Sequence, residues 1–463
     1  MVFSSVVFLF FYLPITLAAY YVAPRKWRNM LLLVVNLFFY GWGEPVYITI
    51  MLLSTLIDYT HGMLVEKYRS NDKKARMFVV SSVFFNLLLL VFFKYYDFIV
   101  TSLKAVFPGL PLEPLGIPLP IGISFYTFQT MSYTIDVYRG DARAQKNIVN
   151  FGTFVTLFPQ LIAGPIVQYK DVDDQLRERH ENVAQFASGV QTFICGLAKK
   201  VLLANSIGML WDVSLQNAAT LSALGAWLGI LAYSFQIYFD FSGYSDMAIG
   251  LGRMLGFEFK KNFDYPYISR SVTEFWRRWH ISLGTWFREY VYIPLGGSRR
   301  GQWRTYRNLL IVWALTGIWH GASWNFLFWG LWFAFWLMLE KAFLLRVLKT
   351  IPRAVQHIYA LFVAVFGWVI FAIEDLSVMR TYVSAMFGGA GLVNSNALYY
   401  LRLYGPLLII LVIASTPLPT LLYRRLAEKK IPAWVPVLCA IFLMLSTAYI
   451  VDASYNPFLY FRF

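Results

Sequence analysis

A histidine, His320, lies within one of the most apolar stretches of this sequence, LTGIWHGASWNFLFWGLWFAFW. Leaving a polar imidazole in hydrocarbon without a partner costs roughly 2–7 kcal/mol, so an ionisable residue in such a stretch is a functional hypothesis by default. A neutral imidazole is also suited to removing a proton near physiological pH. The sequence therefore predicts His320 as the candidate catalytic residue. The alternative is a structural histidine bonded to a neighbouring helix.

Small and aromatic residues surround His320 in the sequence. Gly317 and Gly321 form a G-x-x-x-G pair, which lets a neighbouring backbone approach closely. We expect the site to be close-packed and partly dry. Three tryptophans are expected to enclose it with their rings, namely Trp313, Trp319 and Trp324.

A second polar cluster lies in YFDFSGYSDMAIG, at the end of a long apolar run. In a helix, Asp240 and Tyr244 share one face, whereas Asp246 points about 240° away from Asp240. The two carboxylates are therefore not expected to form an acid pair. One of them could orient a histidine, and the other could cap a helix or face the cytoplasm.

The largest excess of positive charge lies between Arg253 and Arg307, which contains eleven Lys/Arg and four Asp/Glu. Within it, FWRRWHISLGTWFREYVYIPLGG predicts an interfacial helix with an aromatic inner face, on which His280 shares the side of Trp276. Two explanations of this positive charge stay open. Membrane topology and attraction to anionic lipid headgroups account for it alone, or the basic residues also bind a phosphorylated donor. Nucleic acid is a poor candidate partner, because the charges alternate with aromatic residues and no nucleic-acid-binding signature occurs. The inner face comprises Trp276, Trp279, Leu283, Trp286, Phe287 and Tyr290, and the outer face includes Arg277, Arg278 and Arg288.

Composition places these residues in a membrane protein. The chain of 463 residues is 58% hydrophobic and 14% charged, and its apolar runs are repeatedly long enough to cross a bilayer. We predict an all-α, polytopic bundle of about 11–13 membrane segments around a tunnel, with cytoplasmic interfacial helices, as one domain spanning residues 1–463. Pro159 and Pro165 in LFPQLIAGPIV predict a broken or re-entrant helix, which requires a protein or water-filled surrounding.

Positive residues predict the orientation of this bundle. Lys/Arg clusters follow the first and third apolar segments, so the amino terminus is expected outside the cytoplasm. Basic residues around Arg424 and Lys429 extend the cytoplasmic pattern and predict one last crossing. Between Ile148 and Leu221 the number of crossings stays ambiguous.

Several chemistries lack their motifs in this chain. There is no G-x-S-x-G elbow, H-E-x-x-H, Walker A loop or dinucleotide fingerprint, which argues against hydrolase, metalloprotease and ATPase functions. Cys195 and Cys439 both lie in apolar stretches, which argues against a disulfide framework or a thiolate metal site. We therefore expect no metal and no bound cofactor.

The combined motifs resemble the membrane-bound O-acyltransferase family, in its alginate O-acetylation branch. The resemblance rests on FDFSGYSDMAIGLGRMLGFEFKKNFDYPYISRSVTEFWRRWHISLGTWFREYVYIPLGG and LTGIWHGASWNFLFWG, and extends to the opening MVFSS and the closing NPFLYFRF. It implies that His320 matches the family's catalytic histidine in the membrane and that His280 matches its second, cytoplasm-side position. His280 is therefore the second candidate catalytic residue, and the alternative is that it orders the cytoplasmic mouth of the tunnel. Asp240, Tyr244 and Asp246 match the DFSGYSD segment, where a structural or orienting role is expected and a direct role of the two aspartates is the alternative.

The resemblance also implies a reaction. An acyl thioester, acetyl-CoA, enters from the cytoplasm and an acceptor from the other side, with His320 as general base. Lys260, Arg277 and Arg278 are candidates to attract the phosphates of coenzyme A. Stabilisation of the oxyanion is expected from side chains such as Trp324 or Asn325.

The expected function is therefore acetyl transfer to an extracytoplasmic polysaccharide across a bacterial inner membrane by a multi-pass protein. A separate hydrolase-like acetyltransferase is the expected extracytoplasmic partner. Within the same family, a D-alanyl transfer relay for teichoic acid is the alternative. A glycan transporter or flippase is the alternative from another class, because it also uses broken helices and a central cavity.

Overall fold

A computed structural model describes residues 1–162, 164–427 and 434–452. Every regular element in these ranges is helical, and no β-strand occurs among them, which confirms the predicted all-α class. The motif NPFLYFRF (456–463) and the basic residues Lys429 and Lys430 lie outside the described residues.

The described residues form two compact units. The first comprises Met1–Phe193 and Tyr244–Lys260, and the second comprises Ile194–Gly243 and the described residues from Lys261 onward. One long helix, α12 (Ala223–Met254), contributes residues to both units. The single domain over residues 1–463 stays a prediction.

Besides the last part of α12, the first unit is built from nine helices and the first part of a tenth. Their bounds are α1 Leu13–Val22, α2 Arg28–Gly43, α3 Ile48–Lys67, α4 Asp72–Leu90, α5 Tyr96–Val106, α6 Ile123–Arg139, α7 Ile148–Thr156, α8 Phe158–Leu161, α9 Tyr169–Arg177 and α10 Val183–Ala198.

A buried carboxylate ties three of these helices together. Asp58 of α3 accepts hydrogen bonds from Ser82 Oγ (2.5 Å) and Asn86 Nδ2 (2.8 Å) of α4, and a longer one from Thr134 Oγ1 (3.4 Å) of α6. All four side chains are buried. Because a buried polar group is tolerated only when it is hydrogen-bonded, this network specifies how α3, α4 and α6 pack.

The predicted break near Pro159 is present. The chain leaves α7 at Leu157 and resumes in the short helix α8, with Pro159 in its first turn. Side chains form hydrogen bonds with backbone groups at this break. Asn36 Oδ1 accepts from Phe158 N (3.2 Å), and Gln160 Nε2 donates to Phe154 O (2.7 Å). The segment is buried in protein, as non-helical backbone at membrane depth requires.

The second unit holds the region around both candidate histidines. Its helices after α10 are α11 Asn205–Gln216, the first part of α12, α13 Val272–Arg278, α14 Ile281–Phe287, α15 Gln302–His320, α16 Trp324–Leu339, α17 Leu345–Leu348, α18 Arg353–Ala372, α19 Leu376–Met386, α20 Ser395–Ala414, α21 Leu418–Ala427 and α22 Trp434–Asp452. Short π-helical turns continue three of them, at Lys199–Ala204, Arg288–Tyr292 and Glu340–Leu344.

Six helical segments among the described residues have the length and apolar composition to cross a membrane. Several of the 11–13 segments expected from the sequence are instead short, broken or rich in buried polar residues, as in α6 to α8. The multi-pass membrane character is therefore evident from the helices that remain. The six segments are Ile48–Lys67, Asp72–Val106, Val183–Gln216, Arg353–Ala372, Ser395–Ala414 and Trp434–Asp452.

Candidate active site

His320 is the last residue of α15, at a break in the chain. Gly321 is extended, and α16 begins three residues later at Trp324. The imidazole is 4% exposed and lies edge to face with the rings of Trp319 (5.0 Å), Trp329 (5.0 Å) and Phe371 (5.3 Å). His320 therefore lies in an aromatic surrounding inside the second unit.

The glycines near His320 allow α15 and α16 to approach closely. A Cβ atom on Gly317 would lie 3.3 Å from the Cα of Gly330 and nearer still to the carbonyl oxygen of Phe326. A Cβ atom on Gly321 would overlap the ring of Phe326. The predicted close approach at this G-x-x-x-G pair is therefore present, and the approaching helix is α16.

His280 lies at a sharp turn between α13 and α14. Its backbone is left-handed (φ 46°), a conformation that costs a non-glycine residue of order 1–3 kcal/mol and that clusters at functional sites. The prediction of one continuous interfacial helix, with His280 on the face of Trp276, is wrong. The helical periodicity of the aromatic residues continues through the sequence, but α13 ends at Arg278. Most of the predicted inner face is nevertheless buried, including Trp279, Leu283, Trp286 and Phe287.

Asn262 holds His280 in this turn. Its side-chain oxygen accepts from Ser282 N (3.1 Å) and Ser282 Oγ (2.9 Å) and lies 3.2 Å from His280 Nδ1. Because an amide oxygen only accepts, Nδ1 carries the proton and the neutral ring has its lone pair at Nε2. Burial lowers the pKa of His280 to about 3, which keeps the imidazole neutral at physiological pH.

The two candidate histidines share an aromatic neighbour. The Trp319 ring lies 5.0 Å from the ring of His320 and 6.2 Å from the ring of His280. The structure thus brings together the two histidines that the sequence singled out, although they lie 40 positions apart in the sequence.

A cavity of about 410 Å³ opens beside His280. It extends to Thr316, which lies one helical turn before His320 on α15. The Trp329 ring links its aromatic wall to His320, because it lies 5.5 Å from Trp276 and 5.0 Å from the histidine. Three cations line it, namely Arg277, Arg288 and Lys341, together with the aromatic residues Trp276 and Trp313.

Of the three basic residues predicted to bind a donor, only Arg277 lines this cavity. Arg278 forms an ion pair with Glu274 (2.9 Å). Lys260 belongs to the first unit, where its ammonium group pairs with Asp171 (2.6 Å). The other two basic residues that line the cavity are Arg288 and Lys341. Arg288 was predicted only as part of a basic face, and Lys341 was not predicted from the sequence.

Asp240 is buried in a charged pair. Its carboxylate lies 2.6 Å from the ammonium group of Lys200, and both side chains are 2% exposed. Lys200 Nζ also donates to Asn205 Oδ1 (2.9 Å). Lys200 was not predicted from the sequence, although a lysine inside an apolar run is a usable signal.

Tyr244 and Asp246 follow on the same helix but belong to the first unit. Tyr244 is buried and its ring stacks on Phe3 at 4.7 Å, whereas Asp246 is partly exposed. As predicted, Asp240 and Asp246 differ in their surroundings along α12.

The residues after the break have different surroundings. Trp324 is 48% exposed, whereas Asn325 is fully buried and its amide donates to the carbonyl oxygens of Ile370 (3.3 Å) and Phe371 (3.0 Å). The amide hydrogens of Asn325 therefore connect α16 to α18, which favours a structural role over the predicted oxyanion contact. Trp329 is a donor that was not predicted from the sequence. Its indole nitrogen is buried and has no hydrogen-bond acceptor among the described residues.

Glu340 holds the start of α13, the helix that precedes His280. Its buried carboxylate accepts from the backbone N–H groups of Val272 (2.6 Å) and Thr273 (2.8 Å), from the Thr273 hydroxyl (2.6 Å) and from Tyr359 (3.1 Å). A carboxylate at a helix N-terminus satisfies N–H groups that have no partner within the helix. Glu340 therefore connects the end of α16 to the start of α13.

The family model described as "MBOAT, membrane-bound O-acyltransferase family" matches residues 37–383. A probable alginate O-acetylase of Pseudomonas putida is 43% identical over the whole length of both chains. A peptidoglycan O-acetyltransferase of Helicobacter pylori is 30% identical, covering 100% of this chain and 98% of that protein.

A teichoic acid D-alanyltransferase of Bacillus subtilis is similar over a shorter region, at 28% identity over 46% of this chain and 57% of that protein. The family model covers both histidines, the DFSGYSD segment and the cavity. The chain therefore belongs to the membrane-bound O-acyltransferase family and is a multi-pass membrane enzyme that resembles alginate O-acetylases.

Proposed function

We propose that the protein takes an acetyl group from acetyl-CoA at the cytoplasmic face of a bacterial inner membrane and passes it to a polysaccharide outside. Two full-length relatives are named for O-acetylation, one of alginate and one of peptidoglycan, which supports acetyl as the transferred group. The separate hydrolase-like partner remains part of the proposal, because transfer to the final polymer can require a second protein.

The cavity beside His280 is the observation that carries the proposal. Its cations, Arg277, Arg288 and Lys341, suit the phosphates of coenzyme A, which pair with Lys and Arg. Its aromatic surface suits the short acyl chain and excludes water that would hydrolyse the thioester. Thr316, at its far side, is one helical turn from His320.

The reaction needs one proton removed and one carbon–sulfur bond broken. The acceptor hydroxyl gives its proton to the imidazole of His320 while its oxygen bonds to the thioester carbonyl carbon. The carbon–sulfur bond then breaks, and the thiolate leaves and takes the proton from the imidazolium. General-base assistance of this kind typically contributes about 10²–10⁴-fold.

The negative charge that develops on the carbonyl oxygen needs a donor. The indole N–H of Trp329 is the candidate, because it is buried, it lacks an acceptor within the described part of the chain and its ring contacts His320. A donor aimed at developing charge in a dry site is worth far more than in water. His280, held neutral by burial, orders the cavity wall in this proposal.

The alternatives predict different products. The D-alanyl relay is favoured less, because the relative named for it is similar over less than half of this chain. A mass measurement of the added group, acetyl or D-alanyl, distinguishes the two. A transporter or flippase would move a labelled glycan between leaflets without releasing free thiol.

The first experiment replaces His320 by alanine at equal membrane abundance. We expect thiol release from acetyl-CoA and polymer acetylation to fall by about 10²-fold or more, in line with the loss of a general base. His180→Ala is the matched control, because its side chain is 77% exposed. Wild-type acetylation by the His320→Ala protein would rule out the proposed base.

A second experiment tests the route from the cavity. Thr316→Phe fills the cavity end nearest His320 and should abolish thiol release, whereas Leu315→Phe, on the exposed side of the same turn, should leave it intact. Equal activity in both variants would contradict passage of the acyl group along this wall. Co-purification with a hydrolase-like extracytoplasmic acetyltransferase tests the partner.

A further inference from the structure

A small pocket of about 160 Å³ lies in the second unit, where α11, the start of α12 and the start of α20 meet. None of its lining residues is acidic or basic. Leucine, valine, glycine and alanine form the remainder of its surface. Its polar lining residues are Ser214, Asn217, Thr220, Asn394, Asn396 and Tyr400.

The pocket wall is held by hydrogen bonds within the chain. Asn394 Oδ1 accepts from Ala397 N (2.9 Å) and from Ser222 Oγ (3.3 Å), while its amide donates to Thr220 O (3.4 Å). The loop before α20 also accepts backbone hydrogen bonds from the start of α12. The surface is therefore organised before any ligand arrives, which lowers the entropic cost of binding.

Two side chains keep their hydrogen-bonding groups available to a ligand. The amide of Asn396 and the hydroxyl of Tyr400 make no hydrogen bond with any residue that the structure describes. Leu210 and Leu228 supply apolar surface beside them. An amide, a phenol and an apolar wall together match a ring that carries hydroxyl groups at its edge and C–H bonds on its faces.

Charge places this pocket on the side away from the cytoplasm. α20 (Ser395–Ala414) begins at the pocket and is long and apolar enough to cross a membrane. Arg424 and Arg425 follow its other end, whereas no Lys or Arg occurs between residues 381 and 401 beside the pocket. By the positive-inside rule, the pocket faces outward.

We propose that this pocket binds one neutral sugar ring of the extracytoplasmic acceptor glycan. The identity of the acceptor rests on the proposed function, whereas the selectivity rests on the pocket alone. Its volume corresponds to about five water molecules, which is room for a single ring with the rest of the polymer outside. The absence of a cation in its lining disfavours a uronate, whose carboxylate would lose water without gaining a counter-charge.

Saturation-transfer NMR on the full chain in nanodiscs tests this site, with cellohexaose and mannohexaose as neutral probes and hexagalacturonate as the charged probe. We expect a neutral probe to bind and the uronate to bind at least about tenfold more weakly. Tyr400→Ala should weaken the neutral probe about tenfold, and Asn396→Ala about three- to tenfold. Ser395→Ala, next to Asn396 but outside the pocket, is the matched control and should change nothing.

Thiol release from acetyl-CoA is measured on the same proteins over a range of acceptor concentrations, and we expect the pocket variants to need more acceptor for half-maximal release. Loss of thiol release in His320→Ala tests the proposed function separately, since sugar binding needs no donor. Equal binding of neutral and charged probes, or unchanged binding in Tyr400→Ala, would overturn the sugar site. Loss of partner-protein binding in Tyr400→Ala with no sugar binding in the parent would overturn it in favour of a protein contact.

Discussion

Replacing Lys200 by methionine removes the ammonium group that faces Asp240. The two charges are 2.6 Å apart and both side chains are 2% exposed. At an effective dielectric constant near 20, their attraction is about 6 kcal/mol, most of which offsets the cost of taking both charges out of water. Removing one partner of a buried pair typically costs about 3–5 kcal/mol, so we expect Lys200→Met to lower the free energy of unfolding by that amount.

Denaturant unfolding in mixed micelles measures this change. Lys199→Met is the matched control, because Lys199 is the preceding residue in the same π-helical turn and is only partly buried. We expect the control to differ from the parent by less than about 0.5 kcal/mol. The double variant Lys200→Met/Asp240→Leu replaces both charges by apolar groups and should recover most of the stability lost in Lys200→Met.

The same double variant separates structure from catalysis. If Asp240 is structural, thiol release returns with stability, whereas an orienting role leaves a stable but inactive protein. Parent-like stability of Lys200→Met would refute the reasoning about the buried pair. The reasoning would also be refuted if the double variant lost as much stability as Lys200→Met and Asp240→Leu lose together as single variants, because the coupling energy between the two residues would then be zero.

Three further variants test the site. Trp329→Phe keeps an aromatic ring but loses the indole N–H, and should slow single-turnover thiol release about 10²-fold or more, whereas exposed Trp303→Phe should not. Glu340→Gln removes a charged acceptor of four hydrogen bonds and should lower the free energy of unfolding by about 1.5–3 kcal/mol, with a raised KM for acetyl-CoA. Burial lowers the pKa of His280 from 6.5 to about 3. Between these two pH values, His280 of the unfolded chain binds a proton that His280 of the folded chain does not bind. Stability should therefore fall with pH below 6.5, by up to about 1.4 kcal/mol per pH unit, and His280→Asn should remove that part of the slope in pH-dependent denaturation.

Local signals predicted much of the fold. Long apolar runs indicated a helical membrane protein, and Pro159 indicated the break between α7 and α8, because proline cannot continue the hydrogen-bond pattern of a helix. Gly317 and Gly321 indicated the close approach of a neighbouring helix, since only a residue without Cβ fits there. Each of these signals lies within the segment that it describes.

The contacts that position the site depend on residues far apart in sequence. Asn262 holds His280 from 18 positions away, and Glu340 holds the start of α13 from 68 positions away. Helical spacing cannot report such contacts, which is why the turn at His280 was predicted as part of a continuous helix. Lys200 was not predicted for the same reason, because it lies far in sequence from its partner Asp240, which was predicted.

The division of α12 between the two units has a consequence for how the protein is made. Residues 194–243 of the second unit leave the ribosome before residues 244–260, which complete the first. The first unit therefore cannot fold completely during synthesis until part of the second unit has been synthesised, although units usually fold in the order of translation. No single cut in the gene yields two fragments that each encode one whole unit.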